Sequence, residues 1–124
     1  MIEAGCELCR PDMVVFEDEL AYVRYDNNSL SKGHMLVVPR RHVADFFDMS
    51  AAEKSAILSL LDRAKAQVAR EFAPDGYNIG VNIGRAAGQT RMHVHVHLIP
   101  RYTDDVADPR GGIRCVLAKH SPGH

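Results

Sequence analysis

The first third of the chain alternates short β-favouring runs with polar breaks. Val14-Val15-Phe16 and Ala21-Tyr22-Val23-Arg24-Tyr25 flank the acidic, turn-like Glu17-Asp18-Glu19, which predicts an antiparallel pair. Asp26-Asn27-Asn28-Ser29 and Ser31-Lys32-Gly33 interrupt the pattern, and Met35-Leu36-Val37-Val38 predicts a third strand that stops at Pro39. From there the period changes. Ser50 followed by Glu53 is a capping box, and Ile57, Leu60, Leu61, Ala64, Val68 and Phe72 recur at helical spacing, so one long amphipathic helix is predicted over 51–72. Pro74-Asp75-Gly76 ends it. Tyr77 to Ile83 reads as a fourth strand and Gly84 to Gly88 as a glycine-bearing loop. Met92 to Ile99 alternates strictly and stops at Pro100, giving a fifth strand. Beyond it, Asp104 to Gly112 is polar and turn-rich and returns to Ile113, Cys115, Val116 and Leu117.

A run of strands with one inserted helix predicts an α+β fold, an antiparallel sheet of about five strands covered on one face. The 124 residues contain no internal repeat and are expected to form one domain, 1–124, with an N-terminal segment over 1–12 and a tail over 103–124. A hydrophobic fraction of 46% and a charged fraction of 25% match ordinary globular usage. The net charge is -1 and Lys and Arg are spread along the chain. Nucleic acid is therefore not an expected partner, whereas a compact anionic ligand is. No apolar run approaches membrane-spanning length and no leader pattern precedes Asp12, so no membrane partner and a cytoplasmic location are expected. Three cysteines, an odd count, fit a reducing compartment better than a disulfide framework.

Histidine is the residue in excess: His34, His42, His93, His95, His97, His120 and His124. In His93-Val94-His95-Val96-His97-Leu98-Ile99 a side-chain period of two puts all three imidazoles on one face and the aliphatic residues on the other. Same-face neighbours lie ~6.5–7 Å apart along a strand, too far for ring contact but close enough for all three rings to surround one phosphate. One or two histidines on a strand usually mark a solvated face; three in register point to chemistry. A histidine nucleophile must be neutral, with one ring nitrogen free and the other N–H held by a carbonyl, and neighbouring imidazoles disfavour triple protonation. The preceding loop, Gly84 to Thr90, can present backbone N–H groups to phosphate oxygens, and Asn82, Gln89 and Thr90 supply neutral donors.

With these residues in view, the chain resembles the histidine triad (HIT) family, whose signature is His-x-His-x-His followed by two apolar residues, here His93 through Ile99. Lys32 to His42 is similar to the family's upstream block and Asn82 to Pro100 to its catalytic block, so the likeness covers roughly residues 6–115. It implies a HIT-like fold, a five-stranded sheet packed with one long helix and a short helix. It also implies an enzyme that cleaves a phosphoanhydride or phosphoramidate at the α-phosphorus of a nucleotide through a nucleotidyl-histidine on the middle histidine, His95. By the same resemblance His97 and His34 flank the attack as catalytic residues. Asn82, Gln89, Thr90 and His93 contact the phosphate or leaving group, and Asp26 holds the ribose hydroxyls. No metal is required for the chemistry. The alternative for Asp26 is a turn residue beside Asn27-Asn28, and for His34 a simple buried side chain.

Cys6-Glu7-Leu8-Cys9 has metal-ligand spacing, and such a pair with two imidazoles completes a tetrahedral zinc site; an empty site and a redox pair are the alternatives. The resemblance implies a structural zinc held by Cys6, Cys9, His42 and His93, which would leave His95 as nucleophile. It further implies a homodimer with a sheet continuing across the interface, to which the sequence adds only the helix's second apolar edge at Ala56 and Ala66. Asp108 to Arg114 resembles a segment of bacterial HIT proteins often labelled dinucleoside polyphosphate hydrolases, in which Arg110 or Arg114 reaches distal phosphates; a Pro-Gly turn with solvated arginines is the plainer account. Arg91 stands where a more apolar residue is expected and Cys115 where an aromatic often stands. Two rival functions remain: a hydrolase using the three strand histidines to hold a catalytic zinc, and a nucleotide-binding module that never turns over.

Overall fold

The computed structural model describes residue 3 and residues 5–117; His120, His124 and the end of the tail lie outside the described residues. Five strands, β1 (Val14–Glu17), β2 (Ala21–Tyr25), β3 (Met35–Pro39), β4 (Gly76–Val81) and β5 (Val96–Arg101), form one antiparallel sheet in the order β1-β2-β3-β5-β4. One long helix, α1 (Ala51–Phe72), lies between β3 and β4 in the chain. Its start is the predicted capping box: Ser50 accepts from the Glu53 amide, and Glu53 accepts from the Ser50 amide. It ends at Ala73, which takes a left-handed conformation (φ 49°) and donates its amide to Ala69 O. Short 3-10 turns, Glu7–Cys9, Phe46–Asp48, Arg85–Ala87 and Gly112–Val116, complete the connections.

Helix α1 buries Ile57, Leu60, Ala64 and Val68 against Ala21, Val23, Met35, Val37, Val96 and Leu98, one alternate set of strand positions. The opposite sheet face is also partly covered, which corrects the one-sided cover expected from sequence. There Tyr22, Leu36 and Val38 pack against Leu8 of the first 3-10 turn, and the Tyr22 hydroxyl donates to Leu8 O at 2.5 Å. Burial there pushes the Tyr22 phenol up to about 12. The turn at Glu7–Cys9 thus forms a small second layer over Tyr22, Leu36 and Val38 of β2 and β3.

Two strand boundaries differ from the sequence pattern. β4 stops at Val81 rather than Ile83, and β5 starts at Val96 rather than Met92. Both strands end at the Val81–Val96 pair, and β3 ends its pairing with β5 at Val37–Val96. With no ladder partner on either side, the chain bends at His93 and leaves the sheet, and the Val94 amide bonds Val43 O instead. At the other end β5 runs through Pro100 to Arg101, because β3 has already stopped at Met35–Leu98 and the missing amide costs nothing on that side.

Candidate active site

The departure from the sheet separates the three histidines. His97 is in β5, paired with Leu36 and Gly80, and faces away from α1. His95 stands just before β5, its ring 5.0 Å from that of His97, so these rings are in contact rather than held apart by strand spacing. His93 is 0% exposed and faces a different group, with its ring 5.2 Å from that of His42. All three imidazoles therefore do not surround one point.

Hydrogen bonds fix which nitrogens carry protons. His95 Nδ1 lies 2.9 Å from His93 O; a carbonyl only accepts, so Nδ1 carries the hydrogen, and in the neutral ring the electron pair is on Nε2. Deeper in, the Leu30 amide donates to His34 Nδ1 (3.1 Å), which makes Nε2 the protonated nitrogen of neutral His34. His34 Nε2 lies 2.9 Å from His97 Nδ1, so His97 accepts there and carries its own hydrogen on Nε2. Burial pushes His97 down to about 4, helped by the neighbouring His95 and His34 and opposed by Asp26. Burial likewise lowers His34 against the pull of Asp26. Asp26 Oδ2 is 3.4 Å from His34 Nε2 and 3.8 Å from His97 Nδ1, while Oδ1 accepts the Asn28 amide at 2.9 Å. Asp26 is thus a turn residue and a neighbour of the histidine pair at once.

Two adjoining clefts share Asp26. One, of about 240 Å³, is lined by Arg24, Asp26, Leu36, Thr90, Arg91 and His95. The other, of about 290 Å³, is lined by Asp26, His34, Asn82, His97, Gly80 and Ile99. A roomier cleft of about 390 Å³ beside β4 and the tail contains no histidine. The structure gives Gln89 and His93 other partners than a ligand. Gln89, 4% exposed, accepts from the Gly84 amide and donates to Ala44 O and Arg91 O, bracing the loop from inside. Arg110 pairs with Asp108 at 2.8 Å, and Arg114 is exposed; neither lines the two clefts.

Cys6, Cys9, His42 and His93 converge as expected, with one ligand atom from each lying within 4.8 Å of the others. Cys6 Sγ and Cys9 Sγ are each 3.4 Å from His93 Nδ1, and Cys9 Sγ is 3.2 Å from His42 Nδ1. Zinc bonds of ~2.3 Å to sulfur and ~2.0 Å to nitrogen at tetrahedral angles put a sulfur and a nitrogen ligand about 3.5 Å apart, which these three separations match. The outer partners fit too. His93 Nε2 donates to Pro39 O (2.7 Å), His42 Nε2 meets Glu3 Oε2 (2.7 Å), and the Glu3 amide donates to Cys9 Sγ (3.3 Å). The cluster leaves His93 no ring nitrogen for a catalytic zinc shared with His95 and His97.

Sequence reasoning missed Glu3, whose acidic side chain carried no motif, and the Leu30 amide, which no side-chain pattern reports. It also missed Arg24 and Glu7. Arg24 was legible: a charge placed inside Ala21-Tyr22-Val23-Arg24-Tyr25 is out of pattern for a buried strand.

A HIT domain model matches residues 8–104. The chain is 42% identical over 95 residues to an uncharacterised HIT-like protein of Methanocaldococcus jannaschii, covering 77% of this chain and 73% of that one. It is 33% identical over 97 residues to a bis(5'-adenosyl)-triphosphatase of Dictyostelium discoideum (78% and 65%) and 31% identical over 94 residues to an AP-4-A phosphorylase of Mycobacterium tuberculosis (75% and 48%). The chain thus spans about half to two thirds of the relatives with named activities. Among solved structures, a zinc-bound histidine triad family protein from Mycobacterium smegmatis matches with TM-score 0.71 at 32% identity, over 82% of this chain and 78% of that one. The chain belongs to the HIT domain family. Its relatives include proteins named for cleaving nucleotides. No helix among the described residues is long and apolar enough to cross a membrane.

Proposed function

We propose that this chain hydrolyses dinucleoside polyphosphates or nucleoside phosphoramidates at the α-phosphorus, with His95 as nucleophile. The observation that carries the reading is the His95 Nδ1–His93 O hydrogen bond, which in the neutral ring puts the electron pair on Nε2, at the wall of a cleft. Nε2 donates its electron pair to phosphorus, and the bond from phosphorus to the leaving group breaks with its pair on the departing atom, a polyphosphate oxygen that leaves as an anion or a phosphoramidate nitrogen that takes a proton from solvent. The resulting ring carries a positive charge, and its Nδ1–H already points at a carbonyl. His97 Nε2–H, oriented by His34, donates to a phosphoryl oxygen as negative charge gathers there. Water then attacks the same phosphorus, returns the pair to Nε2 and releases a nucleoside monophosphate. Asp26 binds the ribose hydroxyls, and Asn82 and Thr90 contact the phosphate, each from a cleft wall.

Cys6, Cys9, His42 and His93 hold a structural zinc, which supplies no chemistry to the reaction and ties the N-terminal segment to His93. The chain pairs with a second copy through the unpaired edge of β4, where Ile79 is 50% exposed. Light scattering reads that state directly. The function is tested by incubating the protein with diadenosine polyphosphate and adenosine 5'-phosphoramidate and following AMP. His95→Ala should abolish release while AMP still binds, and an acid quench should trap the nucleotidyl adduct on His95 of the wild type. Full turnover by His95→Ala would end the proposal.

A further inference from the structure

Arg24 is 3% exposed, yet its Nη1 has no hydrogen-bond partner among the described residues. Burying a charged N–H without an acceptor is costly, and nearly every such group in a folded protein has one. Its neighbours show where the acceptor would come from. Across the sheet face opposite α1, register partners run from Arg24 to Leu36 to His97, so Arg24 lies two strand spacings, ~10 Å, from His97 and lines the His95 cleft. Nε is already used, donating to Tyr25 O at 3.3 Å, which fixes the plane of the fork. Glu7 Oε1 stands 3.8 Å from Nη1, beyond hydrogen-bond range, and its Oε2 pairs with Arg91 at 2.7 Å. Glu7 is half exposed, and its Oε1 accepts from Asn27 Nδ2 at 3.4 Å, a long bond that an entering group can displace. Leu8 and Leu36 supply apolar flanks.

We infer that Arg24 and Glu7 read the nucleobase, and that they select a purine with a 6-keto group beside a ring N–H, guanine over adenine. The inference rests on the proposed nucleotide reading of the His95 cleft. That cleft is lined by Arg24 and Glu7 as well as by Thr90 and His95, so a nucleotide whose phosphorus meets His95 has its remaining parts within reach of Arg24. A distal phosphate is disfavoured there, because the carboxylates of Glu7 and Asp26 line the same walls. A guanine edge offers acceptors at O6 and N7 to the guanidinium and a donor at N1 to the carboxylate. Adenine keeps the N7 acceptor but reverses the other two positions, setting an amino group against Arg24 and a bare ring nitrogen against Glu7. A site built around a buried donor rejects the analogue that leaves it unpaired.

The test reads binding, so that it does not depend on turnover. Titration calorimetry of the wild type with GMP and with AMP should show GMP tighter by roughly tenfold or more, the worth of a hydrogen bond to a charged group. Arg24→Leu should bring the two dissociation constants together. Glu7→Ala, at a half-exposed position where folding is not at risk, should narrow the gap by itself. Equal or tighter AMP binding, failure of both nucleotides to bind, or a preference surviving in both variants overturns the inference. A GMP preference without release of monophosphate from guanosine 5'-phosphoramidate would sink the hydrolase proposal and leave base selection standing. Equal kcat/KM for guanosine and adenosine 5'-phosphoramidates would do the reverse.

Discussion

The Nε2 of His34 lies 2.9 Å from the Nδ1 of His97, and the Leu30 amide holds the other nitrogen of His34. A backbone group thereby sets the tautomer of a ring two hydrogen bonds away. His34→Leu should lower kcat by about tenfold to a hundredfold with a smaller change in KM, because His97 loses the donor that keeps its Nε2–H directed outward. Pre-steady-state measurement of adduct formation checks this. An undiminished adduct rate would show that His34 only fills space.

Acid should destabilise the fold in a window set by the same pair. His97 titrates near 6.5 unfolded and at about 4 folded, so the native state favours its neutral form. That stability is fully present above 6.5 and is lost as pH falls from 6.5 toward 4, up to about 3 kcal/mol. His34, also lowered, adds in the same direction. Glu53, held down to about 2 by Arg41, acts in a separate, lower window, from 4.5 to about 2. Urea unfolding at stepped pH should show the upper slope in the wild type and a shallower one in His97→Asn.

Metal removal should reach His95 through His93. Its ring faces the cysteines while its own carbonyl receives the His95 Nδ1–H. The purified protein should carry about one zinc per chain. Cys9→Ser should lose it and melt lower by on the order of 10 °C. Metal content by emission spectroscopy and calorimetric melting check both, and a zinc-free wild type of unchanged Tm would refute the assignment.

Gly33 precedes His34 at φ +85°, and a Cβ there would lie 2.9 Å from Phe72 Cδ2 and 3.3 Å from Val68 Cγ1. Gly33→Ala should cost about 1–3 kcal/mol through the strained backbone and the displaced end of α1. Thermal unfolding measures it. A drop in kcat beyond the loss of folded protein would show that the shift reaches His34.

Much of this protein is written in local pattern. The period change at Ser50 set helix α1 to its observed bounds, since a capping box and an apolar stripe are properties of adjacent residues. The spacing of Cys6 and Cys9, and the alternation around His97, were equally local. The rest depended on which strands end where. Because β3 and β4 both stop pairing at Val96, His93 leaves the sheet and turns to the cysteines, and the three histidines divide between two sites. The roles of Gln89, Glu3 and Arg24 were likewise decided by neighbours distant in the chain, because a hydrogen bond or a buried charge is satisfied in space, and sequence spacing records only who is next along the backbone.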